Sequence, residues 1–535
     1  MPSLPTAPRS PRSGRAATAF TAVAFTAIGI VLYGPDLGSA FLADDYGEIW
    51  KAVGDSHDFS RSGSNFRPLH LASLAFDHAI GGLDPLPYKI TNLALHVACA
   101  LVVIALAAAM ARAVPALRPF DRPSFAVLAG LWFFVSPAHT EAVSWIAARA
   151  DLLVTLFGAA SVLVALGGPG DRSPSRARSA VSLVLFALAL ASKESAVVIP
   201  VVLLVIDVAR STGPFGARAR SAWLVTRWHL LVLAPYPLVR WLAIHGAPEG
   251  YGLGQLFGTA LGWPKRTAAI VVRSVLPALP APFWWIVPLL IGVALVAVAL
   301  RCRPLRPLLL LTAALVFVTT VPSSGLGASA VTPQGERLAY LPSVFAALLV
   351  AGLVASLHEA RVLWGRAAAV AVVATSIVGL VVVEQRWIGA AELAERFVAA
   401  ESVWDDGTVP IVANLPDAAR GILVGRNIVN PSLAVRYGWA EPRAPGNLAA
   451  VALAGDHAHA TVRRAAPQDG RRTWLLELPE GDAFTRTPGV DDRFFAGVRS
   501  RIVDERHLSI SLDDDVDAGR LWYFTDGRLR RFPAV

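Results

Sequence analysis

Long apolar runs separated by short polar loops occupy most of the chain. Ala17–Leu37, Ile90–Arg112, Ala142–Leu166, Trp223–Ile244 and Ala367–Val383 read as helices of the roughly 20 residues that cross a bilayer. Ile286–Leu300, Leu308–Val321 and Ser343–Leu357 read as shorter spans. Two further runs stop early. Ser124–Val135 ends at Ser136-Pro137-Ala138-His139-Thr140-Glu141, and Ala180–Ala191 ends at Ser192-Lys193-Glu194 before Ser195–Val208. Counting each run predicts about eleven transmembrane helices. Short helices broken at ionisable residues point to a site, because irregular backbone at membrane depth needs surrounding protein or a water-filled cavity. The plain alternative is a pair of tilted helices joined by a polar turn.

Between these runs lie segments too polar to span. The first is an external loop over residues 38–89, in which Leu69–Ile80 has the pattern of an amphipathic helix lying on the membrane. The stretch His245–Trp285 is rich in Gly and Pro and reads as a second external segment. After Glu384 charges become frequent. Gln385–Trp404 reads as a helix, and Thr408–Ala413, Thr473–Leu478, Leu508–Leu512 and Arg520–Phe524 read as strands with turn residues between them. The expected architecture is therefore an α-helical polytopic membrane domain over residues 17–384, followed by a small soluble α+β or mostly β domain over residues 385–535.

Composition strengthens this picture. The chain is 55% hydrophobic and 16% charged, against the roughly 25% charge of a soluble domain, and its mean hydropathy is +0.53. The net charge of +9 needs no nucleic acid partner, because its arginines cluster in short loops as the positive-inside rule expects. Arg9, Arg12 and Arg15 place residues 1–16 in the cytoplasm as a disordered tail. The C-terminal domain then falls on the non-cytoplasmic side. Cys99 and Cys302 give no disulfide framework.

That topology gathers polar groups on the outer face: Asp44, Asp45, Arg67, Asn92, His96, His139, Glu141, Arg149, Lys193, Glu194, Glu336 and Arg337. Adjacent carboxylates at a membrane surface are costly unless solvated, paired or used. Sugar transfer from a lipid phosphate needs both kinds of group. A carboxylate takes the acceptor's proton, and cations stabilise the departing phosphate. Asp44 or Asp45 supplies the first role, and Arg67, Arg149, Lys193 and Arg337 the second. The plainer reading makes Asp44-Asp45 a solvated turn and lets Arg149 with Asp151, and Lys193 with Glu194, neutralise each other. His57-Asp58 and His139-Thr140-Glu141 lack a tetrahedral ligand set, so no metal is expected to be required, although a divalent ion remains compatible with the chemistry.

The order of motifs adds a resemblance. Phe41-Leu42-Ala43-Asp44-Asp45-Tyr46, Phe66-Arg67-Pro68-Leu69 and Tyr88-Lys89-Ile90-Thr91-Asn92-Leu93-Ala94-Leu95-His96 come first. Pro137-Ala138-His139-Thr140-Glu141, Ala148-Arg149-Ala150-Asp151, Ser192-Lys193-Glu194-Ser195 and Glu336-Arg337-Leu338-Ala339-Tyr340-Leu341-Pro342 follow. Together they resemble the membrane region of the transmembrane and TPR-repeat-containing O-mannosyltransferases, within the GT-C glycosyltransferases. The resemblance implies a polyprenyl-phosphate sugar donor, inverting transfer to a hydroxyl outside the cytoplasm, and an acidic motif matched by Asp44 and Asp45, with Asp44 preferred as the base. Lys89 and Ser136 stand where that family usually has His, and no TPR array is present. The acceptor is therefore left open among a protein, a lipid-linked glycan and an envelope polymer. A non-enzymatic transporter or lipid-sugar flippase is the alternative.

Overall fold

The computed structural model describes residues 11–53, 65–167, 175–243, 253–280, 282–329, 331–400, 411–425, 449–453, 459–485, 497–514, 518–526 and 528–533. The stretch holding Asp55, His57, Asp58 and Arg61 lies outside them.

The helices follow the apolar runs. The first, α1 (Pro11–Tyr33), begins inside the stretch expected to be disordered. In the first loop, α2 (Asp45–Val53) precedes α3 (Pro68–Gly81), the expected surface helix. Asp84 caps the next helix, α4 (Pro85–Ala113), by accepting from the Leu86 amide at 2.9 Å. The short run becomes α5 (Pro123–Phe134), and α6 (Thr140–Ser144) follows at a bend of 54°. A second break, over Trp145–Ala148, separates α6 from α7 (Arg149–Leu166). The second short pair is α8 (Arg176–Ser192) and α9 (Ile199–Arg210), joined by a 3-10 turn from Glu194 to Val198.

The next part departs from expectation. The run Trp223–Ile244 is not one span but α10 (Phe215–Leu233) and α11 (Tyr236–Ala243). The Gly/Pro-rich segment after it contains a helix, α12 (Leu253–Arg273). Then come α13 (Phe283–Arg301), α14 (Arg306–Thr320) and α15 (Tyr340–Ala360). The last span and the helix expected beyond Glu384 are a single element, α16 (Val362–Ala400), of 39 residues. Among the described residues seven helices are long and apolar enough to cross a membrane, or eight if the bent pair α5–α6 is one span. Of the remaining runs, α8 has 17 residues and α9 has 12, so this short pair lies outside that set.

The chain is a multi-pass membrane protein. None of the apolar stretch of α13 is buried within the protein, and Phe283, Trp284, Leu289 and Val293 are all exposed, as suits a lipid-facing helix. The bundle core lies under α4, α5, α7 and α15, where Val103, Phe133, Leu152 and Leu348 are sealed from solvent.

From Ile411 onward the regular elements are mostly short strands. β1 (Ile411–Val412), β2 (Leu415–Ala419), β3 (Ile422–Leu423) and β4 (Ala450–Leu453) come first. β5 (Thr461–Gln468), β6 (Arg471–Glu477) and β7 (Ala483–Thr485) follow. β8 (Val498–Asp504), β9 (His507–Leu512), β10 (Leu521–Thr525) and β11 (Arg528–Arg531) complete the set. They form three sheets, ordered β1-β10-β11, β3-β2-β4-β7 and β5-β6-β9-β8. Pairing is antiparallel except for β1 with β10 and β2 with β4.

A second apolar core joins this region to the first loop. Phe41, Leu42, Tyr46 and Ile49 pack in one cluster with Trp145, Trp387, Phe397, Leu415 and Phe524. The Ala43 amide donates to the Val424 carbonyl at 2.8 Å. The strands thus sit at the same end of the bundle as Asp44 and Asp45.

Candidate active site

The site is built on the loop that enters α2. Ala43 has φ of 43°, a left-handed conformation that costs a non-glycine residue roughly 1–2 kcal/mol. The hydrogen bond to Val424 and complete burial hold it there. The two carboxylates that follow differ in burial. Asp45 is buried, and both its oxygens are taken by backbone amides: Leu42 donates at 2.8 Å and Ala147 at 2.7 Å. The indole of Trp145 donates to the Leu42 carbonyl at 3.3 Å. Asp45 therefore clasps the first loop to the break before α7. Burial pushes its carboxyl up to about 7, against the pull of the two amides. Asp44 is half-buried and lies just before α2, where its carbonyl accepts from the Glu48 amide at 2.9 Å.

Around this loop runs a chain of ion pairs. Glu48 faces Lys51 at 2.8 Å and the buried His70 at 3.4 Å. Arg67, at the entry to α3, grips Glu194 with two contacts, Nε at 3.0 Å and Nη2 at 2.6 Å, the fork geometry that guanidinium offers a carboxylate. Arg67 also lies in the fields of Asp151 and Glu48. Lys193 bonds both oxygens of Asp151, at 2.6 and 2.7 Å. Arg337 lies 4.5 Å from the centroid of the Trp145 ring, and its Nη1 meets Glu141 at 2.6 Å. Glu141 also accepts from the amides of Gly335 and Arg337, at 3.1 and 2.8 Å. Gly335 has φ of 84°, and a Cβ there would come 2.9 Å from the Gly327 carbonyl oxygen, so the turn that presents its amide needs glycine. Glu336 points the other way and pairs with Arg273 of α12, both fully buried.

Other predicted residues are enclosed. Arg149 has no exposure. It donates to the Asn92 side chain at 2.7 Å and the Tyr88 carbonyl at 2.8 Å, and to the Ser73 carbonyl at 3.1 Å, while Asp77 lies 2.6 Å away. Asn92 in turn donates to the Val143 carbonyl at 3.0 Å. Arg149 and Asn92 thus pin α3, α4 and the break before α7 together. His96 sits between the Phe134 carbonyl at 2.9 Å and the Tyr340 hydroxyl at 2.6 Å. His139 contacts Ser343 at 2.8 Å, and its ring lies against those of Phe133 and Tyr340. Both histidines belong to the packed interior.

The plain pairing expected from sequence adjacency is rearranged. Asp151 pairs with Lys193, not Arg149, and Glu194 pairs with Arg67, not Lys193. Sequence reasoning also passed over several groups. Lys89 is buried in contact with both oxygens of Asp36, at 2.9 Å each. Glu384 of α16 accepts from Ser144 at 2.9 Å. Trp145, the platform under Arg337, lies inside the run Ala142–Leu166 that reads as one helix and carried no signal of its own. Among the described residues no three or more His, Cys, Asp and Glu side chains gather as a metal site would.

Comparisons with known proteins agree with the family resemblance. The chain is 32% identical over 155 residues to the protein O-mannosyl-transferase tmtc2 of Xenopus laevis, covering 26% of this chain and 18% of that protein. TMTC2 of Mus musculus gives 32% over 158 residues, with the same coverage. Tmtc1 of Drosophila melanogaster gives 33% over 146 residues, covering 24% of this chain and 16% of that protein. The chain resembles the O-mannosyltransferases of this transmembrane type. It spans less than a fifth of the length of these relatives. No family model matches the chain. Among solved structures, ArnT from Cupriavidus metallidurans bound to undecaprenyl phosphate covers 93% of this chain at 14% identity with a TM-score of 0.42, a likeness too loose to assign site residues.

Proposed function

We propose that this protein is an integral-membrane glycosyltransferase that moves a sugar such as mannose from a polyprenyl-phosphate donor to a hydroxyl on the non-cytoplasmic side, with Asp44 as the base. One observation carries the assignment of the base. Asp45 is sealed with both oxygens on backbone amides, whereas Asp44 is half-buried, and this difference in exposure supports Asp44 as the carboxylate that meets an acceptor. In the reaction the acceptor oxygen attacks the anomeric carbon and loses its proton to Asp44. The bond from that carbon to the phosphate oxygen breaks with inversion, and polyprenyl phosphate departs with the electron pair. Arg67 and Arg337, part-exposed at the same end of the bundle, would stabilise the phosphate charge without a metal, and the buried Lys193 would add only its field from behind them. The relatives named above are O-mannosyltransferases, and the ArnT structure holds undecaprenyl phosphate, which supports a lipid-linked donor. The acceptor is a protein, a lipid-linked glycan or an envelope polymer. The N-terminus lies in the cytoplasm in this reading and the strand-rich region outside it.

The test is release of polyprenyl phosphate from a labelled polyprenyl-phosphate mannose by the purified full-length protein in liposomes. Asp44→Asn is expected to lower release by about 10²–10⁴-fold with an unchanged melting temperature. Movement of intact donor across the bilayer without release would favour the flippase reading. Full activity of Asp44→Asn would overturn the base.

A further inference from the structure

At the opposite end of the bundle a cavity of about 300 Å³ opens between α5, α15 and α16. α15 carries the chain from the candidate active site to this cavity over 21 residues, so the two lie roughly 30 Å apart. The cavity walls are apolar, formed by Phe120, Phe125, Leu128 and Val354, whereas Arg122, His358, Glu359 and Arg366 line the rest. Arg122 meets Glu359 at 3.0 Å, and both side chains stay open to solvent, 55% and 42% exposed. Gly365 closes one side: a Cβ there would stand 2.3 Å from the Cα of His358, so the first turn of α16 lies tight against the last turn of α15.

Two neighbours set the depth of the opening. Leu363 is 78% exposed and Trp364 62%, less than one turn before Arg366. An exposed Trp beside arginines at a helix terminus marks the headgroup level of a bilayer. The same end of the bundle carries Arg112, Arg118 and Arg361. An apolar slot with a cationic rim at headgroup depth matches neither a free polar metabolite nor a plain hydrocarbon. Basic pockets between membrane helices suit anionic lipid headgroups.

We infer that this cavity holds one anionic phospholipid, with part of an acyl chain against Phe125, Leu128 and Val354 and its phosphate between Arg122 and Arg366. Arg122 would share its charge between Glu359 and the phosphate, and Arg366 would face the phosphate from α16. The site is separate from the sugar-transfer reading and stands without it. Its occupant would tie the start of α16 to α5 and α15.

The full-length protein, purified in detergent, is to be titrated with phosphatidylglycerol and with phosphatidylcholine of the same acyl chains and read by native mass spectrometry. One phosphatidylglycerol is expected to be retained about tenfold more strongly than phosphatidylcholine. The double variant Arg122→Gln, Arg366→Gln is expected to lose that preference and keep its melting temperature, since both arginines are at the surface. Ala355→Trp, which fills the slot, is expected to lower retention of both lipids. Equal retention of the two lipids by the native protein, or an undiminished preference in the double arginine variant, would overturn the proposal. Should Ala355→Trp fail to fold, the arginine variant decides the matter.

Discussion

The polar groups at this end of the bundle fall into two regions with opposite character. Arg149, Asn92, Asp77, His96 and His139 are sealed in protein, and the donors of Arg149 are spent on four other residues. Arg67, Glu194 and Arg337 keep 18%, 32% and 25% of their side chains exposed. A charge with no access to solvent must be balanced by the protein itself, because leaving it unpaired costs several kcal/mol. Such a charge holds helices together. A charge at the rim is balanced partly by water and can exchange that water for a phosphate. Burial, more than residue type, divides scaffold from chemistry here.

Three substitutions would break or sharpen that division. Arg149→Ala strips the buried Asp77 carboxylate of its cation and is expected to cost about 3–5 kcal/mol of stability. The measure is a thermal melt and the yield of monodisperse protein in detergent. A well-folded Arg149→Ala that had lost only transfer would move Arg149 to the chemical side. Arg67→Gln is expected to do the reverse. A part-exposed ion pair contributes about 0–1 kcal/mol, so the melt should barely shift, while donor turnover falls by about 10–100-fold through one lost charge-assisted hydrogen bond of roughly 1.5–3 kcal/mol. A large loss of stability with native turnover would place Arg67 among the scaffold residues.

The smallest effect on transfer concerns Asp45. Its carboxyl is raised in the folded protein to about 7 from an ordinary 3.8. Between those values the folded state holds a proton that the unfolded chain releases, so stability falls as pH rises from about 4 to about 7. Asp45→Asn keeps the shape, removes this titration and should flatten the melting temperature across that interval. Its amide group would face a backbone N–H with a donor, a loss of about 1–3 kcal/mol. An unchanged slope in Asp45→Asn would assign the titration to another group.

Much of the fold could be read from the apolar pattern. The runs that became α4, α5, α14 and α15 are uninterrupted, and the alternating stretches that became β6, β9 and β10 are bounded by turn residues. Three features were hidden. α12 carries Gly258, Gly262 and Pro264 in its interior, which weakens the helical signal, although packing against α14 and the Glu336 turn still supports a helix. The break at Trp145–Ala148 leaves no Gly or Pro in the sequence, because it is imposed by Asp45 accepting from Ala147 and Trp145 bonding to Leu42. The continuity of α16 was masked by its change from apolar to charged composition, which alters what surrounds a helix without ending it. For the site, the candidate residues could be collected from motifs, but not sorted. Each sorting contact links distant positions, such as Glu141 with Arg337 and Arg67 with Glu194, and adjacency in sequence suggested the wrong partners for Asp151 and Glu194.

The unbroken α16 has a geometric consequence. Its 39 residues measure roughly 58 Å, so one helix begins beside the Arg366 cavity and ends in the core it shares with the strands. One residue added between Glu384 and Phe397 would rotate everything beyond it by about 100° and lift it by about 1.5 Å. The face of α16 that packs on the strands carries Trp387, Ala394 and Phe397, so such an insertion would turn part of that face away from them, and chain length in this stretch is as constrained as residue identity.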